Sequence, residues 1–181
     1  MKFHVHHRRT LRKGRVFDIT LENVTFPNGF NADLEIIRHP GAAAIVPLMP
    51  DDRVLMLKQY RHAIGGFMWE IPAGTFNGRE DPLVCARREL IEETGFSAAR
   101  WEAIGAVTPV PGYSDEKIHL YLARDLTPAV QDLDQDEFLE VHRLPLMQVA
   151  AMIAQCEIQD AKTIAGIFLT LDKLRRIAID K

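Results

Sequence analysis

"GTFNGREDPLVCARRELIEETGF", Gly74 to Phe96, is the stretch on which the reading of this chain turns. It opens on a glycine-bearing loop and passes into a helix with both ends marked. Asp81 suits the N-cap, Pro82 the first helical position and Gly95 the C′ position past the last turn. Leu83, Ala86 and Leu90 recur at helical spacing and are expected to face a core. The same helix carries Glu89, Glu92 and Glu93 within five residues, with Glu80 just upstream. Side chains three and four apart share a helix face, where like charges repel by about 0.2–0.5 kcal/mol per pair.

A run of charge on a helix is ordinarily a solvated face. Here the run follows a loop whose Gly74 lets backbone carbonyls approach whatever the carboxylates hold. Glu89 and Glu93 stack on one face and Glu92 borders it. Clustered carboxylate oxygens are the ligands Mg²⁺ or Mn²⁺ prefers, and a divalent cation cancels their mutual repulsion. Arg88 can pair with Glu80 and brace loop against helix.

Upstream, "RVFDITLENVTF" and "FNADLEIIRH" alternate apolar and polar residues on either side of Pro27-Asn28-Gly29, which predicts a β-hairpin within Arg15–Arg38. "AAAIVPLM" and "RVLMLKQYR" follow as a second strand pair joined by "PDD"; their continuous apolar character suits strands buried on both faces. Downstream come "WEAIGAVTPV", the loop "PGYSDE", the strand "KIHLYLARDL", the acidic stretch "QDLDQDEF" and the short strand "LEVHRL". A helix from Pro145 to about Gln155 and another over "AKTIAGIFLTLDKLRRIAI" complete the order. Strands, helix, strands and helices in one chain predict a mixed α/β sandwich, with the first hairpin as an outlying piece and a boundary near His39-Pro40.

The 181 residues are 47% hydrophobic and 26% charged, with a net charge of −3, as in an ordinary soluble domain and not a nucleic-acid or anionic-membrane binder. No apolar run is long enough to cross a membrane. The basic opening "MKFHVHHRRTLRKGR" lacks the apolar segment of a signal peptide, and its His4, His6 and His7 have no clear third ligand, so a flexible basic terminus is expected. Cys85 and Cys156 sit in apolar helical patterns, which predicts two small core residues in a reducing, cytoplasmic compartment. His62, His119 and His142 have no partner pattern.

The stretch Gly74–Phe96 resembles the signature of the Nudix hydrolases: Gly, five residues, Glu, seven residues, Arg-Glu, an apolar residue, any residue, Glu-Glu, any residue, Gly, an apolar residue. Gly74, Glu80, Arg88, Glu89, Leu90, Glu92, Glu93, Gly95 and Phe96 fill every fixed position. The resemblance implies an α/β/α sandwich with a mixed β-sheet, and Mg²⁺- or Mn²⁺-assisted attack of water on a diphosphate. It implies that Glu89 and Glu93 bind metal together with the carbonyl of Ala73. Glu92 would be a further ligand or a proton acceptor, and Glu80 with Arg88 would shape the loop.

Three further segments resemble the branch that cleaves ADP-ribose and nucleoside diphosphate sugars: "KQYRHAIGGFMWEIPAGTF", "TPVPGYSDEKIHLYLA" and "DEFLEVHRLPLMQVAAMIAQCEIQDAKTIAGI". In that branch the arginine at the place of Arg61 contacts the diphosphate, and Glu70 precedes the box with it. Arg61 can fork onto phosphate oxygens, and Gly112 and Ser114 offer N–H groups and a hydroxyl. Arg38 and Glu116 are further candidates for the substrate pocket. The branch takes its general base from the acidic loop, where Glu137 is the first choice, also as a metal ligand from the far side; Glu140, Asp136 and Glu116 are rivals. An N-terminal element over residues 1–39 is expected to exchange between two subunits of a homodimer, with Phe17 or Phe26 near the base, and residues 40–181 to form the hydrolase domain. The expected reaction yields a nucleoside monophosphate and a sugar phosphate. The alternatives are dinucleoside polyphosphates, capped RNA or nucleoside triphosphates as substrate, or a nucleotide-sugar sensor without catalysis, against which the intact Glu89, Glu92 and Glu93 argue.

Overall fold

The computed structural model describes residues 2–179. The chain runs through β1 (His4–Lys13), β2 (Asp18–Thr25), β3 (Asn31–Arg38), β4 (Ala42–Pro47), β5 (Arg53–Arg61), β6 (Gly66–Glu70) and β7 (Ala73–Thr75). It continues through α1 (Pro82–Thr94), β8 (Phe96–Val107), β9 (Ile118–Pro128), β10 (Leu139–Pro145), α2 (Leu146–Ala154) and α3 (Ala161–Ile179). Three sheets result, with orders β1-β2-β3, β10-β5-β6 and β7-β4-β9-β8. Only the β4–β9 pair of the last is parallel, so that sheet is mixed.

β4 explains why layers form on both sides. All six of its residues are buried. Ala42, Ala44 and Val46 join a core with Met56, Ile71, Leu120, Val149 and Ile167, which brings α2 and α3 onto one face. Ala43 and Ile45 meet Cys85, Ala86 and Leu90 of α1 on the other. Fully burying a leucine such as Leu90 contributes about 1.5–3 kcal/mol, so the alternation along β4 is what clamps α1 to the sheet. α1 has the ends that the sequence predicts. The Asp81 side chain accepts from the N–H of Leu83 at 2.9 Å and of Val84 at 3.3 Å, and Gly95 takes a left-handed φ of 69° while its N–H bonds Ile91 O.

The N-terminal hairpin is present as β2–β3, its turn closed by Phe26 N–H donating to Phe30 O at 2.8 Å with Gly29 at φ 83°. The basic terminus expected to be flexible is instead a third strand, β1, exposed along its whole length and paired antiparallel to β2. Because neither face of β1 is covered, its sequence has no apolar alternation to betray it. The expected pairing of β4 with β5 is also corrected. They lie in different sheets, joined just past the end of β4 by the isolated bridge Leu48–Val54, because β4 finds β7 and β9 while β5 finds β6 and β10. Cys156 is not a core residue: it lies beyond α2, exposed, at φ 61°, whereas Cys85 is buried and its thiol is pushed up to about 12 by burial.

Candidate active site

The strand β7, the loop after it and the C-terminal half of α1 place Gly74, Arg88, Glu89 and Glu92 of the signature around one cavity of about 710 Å³. Its floor is Ala73, Gly74 and Thr75; its walls are Arg88, Glu89 and Glu92 from α1, Arg61 from the end of β5, and Asp132, Asp134 and Glu137 from the acidic loop. Arg15 and Val16, from the β1–β2 turn, close one side. A smaller hollow of about 330 Å³ between β8, β9 and α3 includes Arg100, Trp101 and Arg124; its arginines already pair with Asp125 and Glu102. The larger cavity is the one with unspent charge.

Arg88 holds the signature together. It donates Nε to Glu80 Oε1 at 3.1 Å and Nη2 to Glu80 Oε2 at 3.0 Å, which ties the loop to the helix. Its Nη1 donates to Glu89 Oε1 at 2.5 Å and to Glu92 Oε2 at 2.8 Å, and Nη2 also reaches Thr75 O at 3.2 Å. The guanidinium lowers the Glu80 carboxyl below its ordinary range and is itself held strongly protonated. One cation thus serves three carboxylates, and it does not balance them. Burial, reinforced by Glu92 and Glu137, pushes Glu89 up to about 7 in spite of Arg88. Glu93, 2% exposed, lies well above the usual carboxylate range through burial and the nearby Glu89; the Ala73 N–H, donating to its Oε2 at 2.8 Å, offsets only part of this. Burial also raises Glu137.

The residues fit a divalent cation by two observations. The donors are hard oxygens that lack an adequate counter-charge, and the backbone makes room for them. A Cβ on Gly74 would sit 1.8 Å from Glu89 Oε1, so only glycine leaves the carboxylate its place. Glu93 accepts the N–H of Ala73, which sets its carboxylate beside the backbone of the residue whose carbonyl is the expected further oxygen. Among the described residues no three acidic, His or Cys side chains already converge as a finished ligand set, because Arg88 draws Glu89 and Glu92 toward itself.

The other expected site residues divide. Arg61 lines the cavity, with Nε on Glu70 Oε1 and Nη2 on Glu70 Oε2, both at 2.8 Å. Glu70, 2% exposed, does not line it; burial alone would raise its carboxyl, but Arg61 and Lys162 outweigh that and hold it at about 2. Glu137 lies in the cavity wall, whereas Glu140 points away, 68% exposed and 3.1 Å from His142 Nε2. Glu140 thus stands outside the cavity that Glu137 lines. Asp136 pairs with Arg15 at 2.6 Å.

Arg38, Gly112, Ser114 and Glu116 do not line the cavity of this chain either. Their loop instead docks β3: Ile37 N–H donates to Tyr113 O at 2.7 Å, Arg38 Nη1 to Asp115 Oδ2 at 2.8 Å and His39 N–H to Asp115 Oδ1 at 2.8 Å. Ser114 is buried by this pairing and Arg38 also pairs with Glu22. Glu116 borders His39, 3.9 Å from its Nδ1. Sequence reasoning missed Arg15, Asp132, Asp134 and the pair Asp160 and Lys162 behind Arg61. Asp132 and Asp134 lie in the acidic stretch that the sequence marks, and Asp160, three residues before Thr163, reads as a helix cap; Arg15 left no such signal.

The NUDIX domain model matches residues 38–166. The chain belongs to the Nudix family. It is 38% identical over 156 residues to the ADP-ribose pyrophosphatase of Bacillus subtilis (strain 168), covering 85% of this chain and 84% of that one. It is equally similar, 38% over 156 residues with the same coverage, to the methanol dehydrogenase activator of Bacillus methanolicus. A crystal structure of an ADP compounds hydrolase superposes with a TM-score of 0.84 at 24% identity, covering 97% of this chain and 95% of that chain, which establishes the shared fold. Among the described residues no helix is long and apolar enough to cross a membrane.

Proposed function

We propose that this Nudix enzyme hydrolyses the diphosphate bond of ADP-ribose or a closely related nucleoside diphosphate sugar, with Mg²⁺ or Mn²⁺, to a nucleoside monophosphate and a sugar phosphate. The observation that carries the reading is a cavity lined by Arg61 on one wall and the under-compensated Glu89 on another, with the buried and likewise under-compensated Glu93 one turn further along the same helix. The Bacillus subtilis relative supports ADP-ribose as the first substrate to try.

Glu89, Glu93 and the Ala73 carbonyl, with Glu92 beside them, would hold the cation. When bound, Mg²⁺ or Mn²⁺ neutralises the diphosphate and lowers the pKa of water enough to make a nucleophile near neutral pH. Arg61 binds phosphate oxygens through the part of its fork that Glu70 leaves free. Glu137, raised above its ordinary value, accepts the proton of the attacking water. The water oxygen bonds to one phosphorus, the bridging P–O bond breaks, and the second phosphate leaves with its sugar.

A homodimer belongs to the same reading, with residues 1–39 as the exchanging element and 40–181 as the hydrolase domain. The exposed Val5 and Leu11 of the separate β1-β2-β3 sheet, with the exposed Phe3, Phe17 and Phe30 at its strand ends, support it. In that assembly Arg38, Gly112, Ser114 and Glu116 belong to the rim of the pocket. A cytoplasmic location is proposed from the two unpaired cysteines. The test is phosphatase-coupled phosphate release from ADP-ribose, GDP-mannose, UDP-glucose, diadenosine polyphosphates and nucleoside triphosphates, each with Mg²⁺ and with chelator. Chelator-sensitive cleavage of a diphosphate sugar is expected. Cleavage of triphosphates or polyphosphates alone overturns the substrate class.

A further inference from the structure

Behind Arg61 lies a buried ion network that the chemistry above does not use. Lys162, 9% exposed near the start of α3, donates Nζ to Glu70 Oε2 at 2.5 Å and to Asp160 Oδ2 at 3.0 Å. Asp160 is itself fixed: its Oδ2 accepts the Thr163 N–H at 3.0 Å and the Thr163 hydroxyl at 2.5 Å, capping the helix. The Thr163 hydroxyl oxygen in turn accepts the N–H of Ile71, the residue after Glu70, at 2.9 Å. Helix start, strand end and Glu70 are thereby locked into one piece.

A buried lysine is costly to desolvate and persists where its partners are well placed. The question is what this one contributes. Glu70 offers two oxygens to the Arg61 fork, and Lys162 shares one of them. Held only by Arg61, the carboxylate could rotate, and the plane of the guanidinium would rotate with it. Its full charge would also fall on Arg61 alone and weaken the pull of that side chain on a second anion. Lys162 removes both freedoms, leaving the rest of the guanidinium directed at the cavity it lines.

We propose that Lys162 is a positioning residue for diphosphate binding, acting through Glu70 on Arg61. The inference rests on the reading of the cavity as a nucleoside diphosphate site. Its test is a kinetic double-mutant cycle with ADP-ribose and Mg²⁺, using Lys162→Met, Arg61→Ala and both together. Lys162→Met raises KM by about tenfold or more with a smaller change in kcat, the range typical of residues that orient a binding group. In the Arg61→Ala background the same change alters KM by less than about twofold, because its target is gone. Lys162→Gln, which still donates to Glu70 without the charge, falls between and carries the cycle if the Met variant does not fold.

An unchanged KM in Lys162→Met overturns the proposal. So does a KM rise that persists undiminished beside Arg61→Ala, which would mark a general structural role. If the unaltered enzyme cleaves no nucleoside diphosphate derivative, the functional reading falls and this inference with it. An active parent enzyme with a failed cycle overturns the inference alone.

Discussion

Glu89→Gln should make the metal-free protein more stable at pH 8 while leaving it inactive. Glu89 is 8% exposed, and burial moves its carboxyl from 4.5 up to about 7 despite the Arg88 contact. In the unfolded chain the group ionises near its ordinary value, so the folded state binds the proton more tightly. The stabilisation this provides is fully present below pH 4.5, declines as pH rises through the folded value, and is gone above pH 7. That shift corresponds to about 3 kcal/mol. Glu93 and Glu137, also raised by burial, change in the same sense over this window. Glu70, held at about 2 by Arg61 and Lys162, adds nothing that changes between pH 5 and pH 8, and His119, lowered by burial, changes in the opposite sense. Comparing variant with parent removes Glu70 and His119, and reads Glu89 together with its coupling to Glu93. Urea unfolding in chelator at pH 5 and pH 8 is the assay. The parent should lose about 2–3 kcal/mol more than the variant between the two pH values. Equal pH dependence in both proteins would refute the idea that the cluster carries uncompensated charge. Mg²⁺ added at pH 8 should restore the parent and leave the variant nearly unmoved, because a ligand stabilises only the state that binds it.

Three further outcomes are expected. Gly74→Ala should fold, since the clashing group is the far end of the flexible Glu89 side chain, yet displace that carboxylate and lower kcat/KM by about a hundredfold; wild-type kinetics would show that the space above Gly74 is not needed. Glu137→Gln should lower kcat by about a hundredfold or more while Glu140→Gln stays within about twofold, and the reverse ranking would move the base to the exposed strand. A thiol reagent at pH 8 should label only Cys156 in the folded protein, as buried Cys85 is held protonated, and two labels per folded chain would contradict the placement of α1 against β4.

What could be read from the chain was local. Asp81, Pro82 and Gly95 each act within one turn of α1, and their roles in the structure are those their chemistry dictates. β4 announced burial on two faces because six apolar residues in a row cannot alternate. The signature brought Glu80, Arg88 and Glu89 together because loop and helix are contiguous. Illegible features depended on distant partners. β1 has no covered face, and β7 is a short strand whose partner, β4, lies on the far side of β5 and β6 in the chain. The loop Pro111–Glu116 carried groups suited to a ligand, but whether it meets the cavity or β3 is a matter of packing that no local pattern encodes. Lys162 looked like any helix lysine, and only the fold puts it against Glu70, 92 residues away.

The central claim is that the carboxylates of α1 serve a cation that drives cleavage of a diphosphate. Turnover of ADP-ribose by Glu93→Gln tests it most directly, because among the described residues the Glu93 carboxylate accepts the Ala73 N–H and forms no ion pair. The variant should keep its fold by circular dichroism and lose at least about a hundredfold in kcat with Mg²⁺. Near-normal Mg²⁺-dependent turnover in that variant would contradict the account.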